Sequence, residues 1–286
     1  MIEEEILGKV CERIFEEPSP ILKTGYQNLD TVLCGVEYGS LITIGARPAM
    51  GKTSFMTNIM LNLLEQNKKC LIFSLEMDQK QLIKRLLCQM AEVDAMLLNV
   101  PGEITKRKQS VEKIAEAVEK ISKYDLTIAD DSFNINQIRE TIEKNKPEFV
   151  FIDYLQLISV PHKKPRSESF ENVMRELKQI ARDNNCIIFI SSQLSRALES
   201  RCDKRPLLSD LSESGAIENI SDVVIFIYRE DYYSSILSEE DHAFNKGKTE
   251  IIIAKNKYGS VCTVKLLFRS SIMKFFNPIE PVFDSF

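Results

Sequence analysis

The chain has little of what would tie it to a metal, a disulfide scaffold, a membrane or a globally basic surface. Only two histidines occur in 286 residues, and the seven cysteines (Cys11, Cys34, Cys70, Cys88, Cys186, Cys202 and Cys262) stand singly, without a Cys-x-x-Cys pair. Such spacing points to neither a zinc site nor a disulfide framework, and it fits a reducing compartment, the cytoplasm. No apolar run approaches about 18 residues, so no membrane span is expected. The N-terminus carries Glu3, Glu4 and Glu5 where a signal peptide would carry cations. Net charge is −5, so no global basic field announces nucleic acid, and any such contact must be local. Internal repeats and low-complexity segments are lacking as well. Apolar residues make up 44% of the chain, enough for a substantial core in one large or two small domains.

One stretch organises the rest. Gly45-Ala46-Arg47-Pro48-Ala49-Met50-Gly51-Lys52-Thr53 fits G-x-x-x-x-G-K-[ST] at every fixed position. The two glycines are expected to let backbone N–H groups converge on a polyphosphate without a Cβ in the way. Lys52 would meet the β- and γ-phosphates, the Thr53 hydroxyl would ligate Mg²⁺, and a helix starting near Lys52 would add its dipole. The context agrees, because Leu41-Ile42-Thr43-Ile44 reads as a buried strand entering the loop and Ser54 to Leu64 leaves it with helical spacing.

Along the chain, residues 2–17 show a helical apolar stripe of Ile2, Ile6, Val10 and Ile14, ended by Pro18 and Pro20. That helix either packs on its own domain or docks on a neighbouring copy. Gly25 to Asp30 reads as a glycine-bearing turn before the first core strand. Further strands are expected at Lys69–Ser74, Leu126–Ala129, Phe149–Asp153 and Cys186–Ile190, with helices near 79–91, 107–123, 135–144 and 170–184. Continuous apolar strands alternating with helices predict an α/β fold with a mostly parallel sheet covered on both faces. After residue 221 the strands come close together in sequence (Asp222–Tyr228, Glu250–Ala254, Cys262–Phe268, Ile272–Phe276), which suggests an antiparallel edge.

Several residues carry possible chemistry. Asp153 ends an apolar strand, where it can hold Mg²⁺ or simply cap a turn. Glu76, just past the second strand, is either a general base for an attacking water or an acid facing a helix dipole. Gln193 has both donor and acceptor and is placed to sense a γ-phosphate. Two loops are locally basic: His162-Lys163-Lys164-Pro165-Arg166, and the stretch with Arg196, Arg201, Lys204 and Arg205. They suit phosphate-backbone contacts, or they are solvated surface loops. Lys255 and Lys257 sit at i and i+2 on one face of a strand end, either to reach a phosphate in trans or as a charged hairpin end.

Taken together, these segments resemble the RecA-like motor domain of the DnaB family of replicative helicases. The resemblance rests on Gly45 to Ser54, Phe73-Ser-Leu-Glu-Met77, Ile152-Asp-Tyr-Leu-Gln-Leu157, Ser192-Gln-Leu194 and Lys204 to Glu218, in that family's order and spacing, from about Thr24 to Phe276. It implies a P-loop NTPase using ATP and Mg²⁺, with residues 1–20 as a subunit-docking linker helix and residues 21–286 as the motor domain. It also implies a homo-oligomeric, hexameric ring moving 5′ to 3′ on single-stranded DNA in replication, with primase and a helicase loader as further partners. By position, Ala49, Met50, Gly51, Lys52, Thr53, Ser54 and Arg229 would contact nucleotide, Thr53 and Asp153 the metal. Glu76 would be the catalytic base, Gln193 the coupling residue, and Lys255 and Lys257 the trans cations. Lys163, Lys164, Arg166, Arg201, Lys204, Arg205, Glu213 and Gly215 would serve DNA. Two departures stand out: Ser212 and Lys257 occupy positions of family arginines, and lysine lacks the planar fork of a guanidinium. The Lys255-to-Ser260 segment also resembles that of the RadA branch, which supplies the alternative of a DNA-dependent ATPase that remodels DNA without processive unwinding.

Overall fold

The computed structural model describes residues 22–100, 102–131, 133–160, 166–211, 214–233 and 247–278; the helix expected at 2–17 lies outside them. In chain order the elements are α1 (Gln27–Val32), β1 (Leu41–Ala46), α2 (Lys52–Glu65), β2 (Cys70–Ser74), α3 (Gln79–Ala91), α4 (Ala95–Asn99) and α5 (Lys108–Ile121). There follow β3 (Leu126–Ala129), α6 (Ile135–Asn145), β4 (Phe149–Asp153), α7 (Arg166–Asp183), β5 (Ile187–Gln193), α8 (Ser214–Ile220) and β6 (Val223–Tyr228). The chain closes with α9 (Glu230–Tyr233), β7 (Lys248–Asn256), β8 (Cys262–Arg269) and β9 (Lys274–Phe276).

Among the described residues, nine strands form one sheet in the order β3-β2-β4-β5-β1-β6-β7-β8-β9. From β3 to β6 every pairing is parallel, and from β6 to β9 every pairing is antiparallel. The expected parallel core with an antiparallel edge is therefore present. Strand alternation divides the core in two. Phe149, Phe151, Ile72 and Phe189 face α2, whose Phe55, Met56, Ile59 and Met60 are buried. Val150, Ile152, Leu71 and Ile188 face α6 and α7 through Ile138, Ile142, Met174 and Leu177. Each such side chain contributes roughly 1.5–3 kcal/mol by leaving water, and Phe151 stacks on its register partner Phe189 with centroids 4.9 Å apart. No described helix is long and apolar enough to cross a membrane.

Where the structure departs from the sequence reading, local contacts explain it. The turn expected at Gly25 runs into α1, tied back by Asp30, which accepts the Thr24 and Gly25 N–H groups at 2.6 and 3.2 Å. The strand expected from Ile272 starts at Lys274, because Ser270–Ile272 forms a 3-10 turn. Helices α4 and α8 were not expected; both are under eight residues, too short to show a period.

The strand directions set the geography of function. Ala46, Ser74, Asp153 and Gln193 leave the sheet together at one edge, whereas Leu41, Phe149, Ile187 and Val223 mark the other. Strand β7 runs backwards, so Lys255 and Asn256 pair with Val224 and Val223 at that second edge.

At the second edge Glu148 links three segments. It accepts the Tyr38 hydroxyl at 2.7 Å, Lys68 Nζ at 2.8 Å and the Lys69 N–H at 3.3 Å. Burial pushes its carboxyl up, but these donors outweigh burial and hold it below its usual value. A depressed carboxylate adds stability that is complete above its unfolded range and is lost as pH falls through its folded value. Glu148→Gln is expected to lower stability at neutral pH by about 1 kcal/mol or less, as for other half-exposed pairs. In thermal melts the gap between the two proteins should close as pH falls below about 4. A gap that stays constant in acid would remove the charge from the explanation.

Candidate nucleotide site

Strand β1 ends in the loop 45–53, and the reason for its first glycine differs from the one expected. A Cβ on Gly45 would lie 2.8 Å from the Phe226 ring and 3.1 Å from Leu194. Core packing, rather than phosphate access, excludes a side chain there. Gly51 does meet the expectation of special backbone, with φ 97°, and Ala49 is also left-handed at φ 65°. Helix α2 then starts at Lys52 with Gly51 as N-cap, no side-chain cap and no acid in its first turn. By contrast α3 and α6 satisfy their first N–H groups with Asp78 and Asn134. An uncapped helix start behind a left-handed loop is an anion site, since donors and dipole both point outward.

The cleft over this helix start has a volume of about 360 Å³ and is lined by Ala49, Gly51, Lys52, Thr53 and Ser54 from the loop. Glu76, Gln193 and Arg229 line it from neighbouring strand ends. Asp153 is buried behind the lining residues Thr53 and Lys52, 4% exposed. Its Oδ2 accepts the Thr53 hydroxyl at 2.6 Å, its Oδ1 accepts Ser191 at 2.5 Å, and Lys52 Nζ is 3.9 Å from Oδ1. A serine hydroxyl and one lysine charge thus hold the carboxylate beside the threonine. Thr53 Oγ1 and Asp153 are hard oxygen donors on one side of the anion site, a donor set that suits Mg²⁺ bound with phosphate. Burial lowers the pKa of Lys52, opposed by Asp153 and Glu76; its ammonium also sits 4.6 Å from the Tyr154 ring centre. Leu75 N–H donates to the Asp153 carbonyl at 2.9 Å, and Ser74 Oγ to the Met77 carbonyl at 2.7 Å, which fixes the Glu76 turn. Gln156 joins the next strand by donating to Ser192 Oγ at 3.0 Å.

Several other expected residues lie elsewhere, and Arg229 makes further contacts at the rim. Met50 is 1% exposed and packs in the core beneath the loop, so its side chain does not line the cleft. Arg229 pairs with Asp231 at 2.9 Å and reaches the Ala49 carbonyl at 3.4 Å, its guanidinium 4.9 Å from the Phe268 ring. Lys255 and Lys257 stand at the opposite sheet edge. Lys255 Nζ donates to the Glu218 and Asn219 carbonyls, and Lys257 Nζ to Asp222. Two cations of the basic stretch after Gln193 are compensated: Arg201 pairs with Asp210 at 2.6 Å, and Arg205 grips Glu250 of β7 with two donors at 2.7 and 2.8 Å. Lys204 lies over Tyr233, and Gly215 is exposed at the start of α8. Lys163, Lys164, Glu213 and the Arg166 side chain lie outside the described residues.

Sequence reasoning missed Arg47 and Arg85. Arg47, 8% exposed, ties the loop to Glu199 at 2.8 Å and to the Leu194 carbonyl at 2.8 Å. Arg85 lines the cleft from α3; burial lowers its pKa against the pull of Asp153 and Glu76. Its signal was available, since it lies on the same helical stripe as buried Leu82 and Gln89, where a cation needs an anionic partner. Phe268, Ser270 and Met273 complete the lining from the antiparallel edge.

Residues 22–277 match the family model of the DnaB-like helicase C terminal domain. Over 271 residues the chain is 38% identical to the replicative DNA helicase DnaB of Geobacillus stearothermophilus, covering 92% of this chain and 58% of that protein. The replicative DNA helicase DnaC of Bacillus subtilis (strain 168) is similar to the same extent. The chain therefore spans less than two thirds of the length of these curated relatives. Among solved structures, one ATPase domain superimposes with a TM-score of 0.89 at 33% identity, covering 96% of this chain and 98% of that one. A DnaB-like replicative helicase, described with its interactions with primase, gives 0.87 at 33% identity, covering 97% of this chain and 67% of that one.

Lys52→Ala is expected to weaken nucleotide binding about 10- to 100-fold, the loss of one charged hydrogen bond, in a titration with a fluorescent ATP analogue. Unchanged affinity would remove Lys52 from the site.

Proposed function

The chain belongs to the DnaB-like helicase C-terminal domain family, and from that premise we propose that it is the ATP-driven motor of a replicative DNA helicase. The fold is that of the RecA-like helicase ATPase domains. The observation that carries the proposal is the contact of Thr53 with Asp153 over an uncapped helix start, with Lys52, Glu76 and Gln193 around it. In this reading Lys52, the loop N–H groups and the α2 start bind the ATP phosphates, and Ser54 and Arg229 extend the contact. Thr53 and Asp153 hold Mg²⁺, which supplies neutralisation of phosphate charge. Glu76 takes the proton of the attacking water, and Gln193 reports the nucleotide state to the segment that follows it.

The proposal needs a second copy. Lys255 and Lys257 are a full strand length, roughly 17–20 Å, from the cleft edge of their own sheet, so any phosphate they serve belongs to a neighbour. A homo-oligomer, a hexameric ring moving 5′ to 3′ on single-stranded DNA, meets that need. Residues 1–20 act as the linker helix that docks on the adjacent motor domain of 21–286. The exposed apolar residues Met96, Val100, Val111 and Val118 support a docking face on α4 and α5. DNA contacts come from Lys163, Lys164, Arg166, Lys204, Glu213 and Gly215. Arg201 and Arg205, being ion-paired, shape that surface more than they charge it. Primase and a helicase loader are the further partners, and the cytoplasm is the site of action. The paired state of Arg201 and Arg205 favours the second reading, an ATPase that remodels DNA without processive unwinding.

ATP hydrolysis should rise on adding single-stranded DNA. Glu76→Ala should cut turnover by about 10²–10⁴, the range for a general base, while nucleotide still binds. DNA-indifferent turnover would contradict the motor reading. Removal of residues 1–17 should reduce assembly in light scattering, and an undiminished oligomer would refute the docking role.

A further inference from the structure

Asp222 lies between the end of α8 and the start of β6, at the sheet edge away from the cleft, and is 3% exposed. Its carboxylate is held on three sides. Oδ2 accepts the Leu41 N–H at 2.8 Å and Lys178 Nζ at 2.5 Å, and Oδ1 accepts Lys257 Nζ at 2.9 Å. The backbone fixes the same neighbours: Asp222 N–H donates to the Leu41 carbonyl at 2.9 Å and Lys257 N–H to the Asp222 carbonyl at 3.0 Å. Lys178 is the buried partner, 14% exposed and also donating to the Gly39 carbonyl at 2.7 Å, whereas the Lys257 side chain is 46% exposed. Burial pushes the Asp222 carboxyl up, but Lys178, the Leu41 N–H and Lys257 outweigh it and keep it ionised.

Two lysines and one carboxylate leave this cluster with a net positive charge. Lys178 and the Leu41 N–H both bond Oδ2 and Lys257 bonds Oδ1; with Lys178 already balancing the single negative charge, Lys257 is steered by Asp222 without being cancelled by it. As a structural staple the half-exposed Lys257 contact adds little, because Lys178 already joins α7 to this edge. As a guide it matters more. A lysine ammonium rides on a flexible four-carbon stem and spreads over many rotamers unless something fixes it. We propose that Asp222 is the positioning residue for Lys257, holding its ammonium at one place on the subunit face to meet a nucleotide phosphate bound by a neighbouring copy. The inference rests on the trans reading of Lys257 given above.

The test is steady-state ATP hydrolysis by the full chain with single-stranded DNA, for Asp222→Asn, Lys257→Met, the double variant, and Asp222→Asn with Lys257→Arg. Asp222→Asn should lower kcat about 10- to 100-fold, as expected when a reacting group is misplaced by an ångström or so. KM and nucleotide affinity should stay within about twofold, since the chain's own cleft is untouched. The double variant should be no slower than Lys257→Met. Adding Lys257→Arg to Asp222→Asn should recover turnover, because a planar guanidinium is already pre-organised. Wild-type kcat in Asp222→Asn, or losses that add in the double variant, would overturn the inference while leaving the trans reading intact. Wild-type turnover in Lys257→Met would sink the trans reading and the inference with it. Should Asp222→Asn fail to fold, Asp222→Asn with Lys178→Met removes the stranded buried charge and is judged by the same outcomes.

Discussion

A single carboxylate at the end of an apolar strand governs this molecule. Asp153 is carried into the interior by Phe149-Val150-Phe151-Ile152, all buried, and an unpartnered charge at that depth would cost several kcal/mol. The cost is met by Ser191 from β5, Thr53 from the start of α2 and Lys52 beside it. Those partners come from different segments, so the carboxylate fixes the register of the loop against the sheet. The same loop leaves its helix uncapped. Structure and chemistry share the arrangement: what satisfies Asp153 also leaves an anion site above it.

The sheet acts as a ruler between two functions. Parallel strands deliver Lys52, Glu76, Asp153 and Gln193 to one edge, and the reversed β7 delivers Lys255 and Lys257 to the other. One chain therefore carries a nucleotide cleft and a pair of cations that cannot reach it. In the proposed oligomer, chains packed head to tail would bring the two together, since a heterologous contact of that kind closes into a ring when the rotation permits.

Much of this was legible in the sequence, and the limits have physical causes. The strands were readable because burial on both faces makes them continuous apolar runs, and Asp153 was readable because a carboxylate ends one of them. The loop signature was readable too, although the role of Gly45 was not: it depends on Phe226, distant in sequence and adjacent only through the β1–β6 pairing. Met50 looked like a ligand contact by position but faces the core. Arg201 and Arg205 looked like free positive charge, because Asp210 and Glu250 meet them only after the chain has folded. Arg85 was legible from its place on the stripe of buried Leu82 and Gln89 but was passed over, and the short helices α4 and α8 carry too few residues for a period.

The central claim is that a working site is assembled from two copies of the chain. The most direct measurement mixes Glu76→Ala chains with Lys257→Met chains and follows ATP hydrolysis on single-stranded DNA, with mixed oligomers verified by mass. Each variant alone should be nearly inactive, and the mixture should regain turnover, because some interfaces then unite an intact Glu76 with an intact Lys257. Mixed oligomers with no more activity than the two variants apart would contradict the account and return the whole reaction to a single chain.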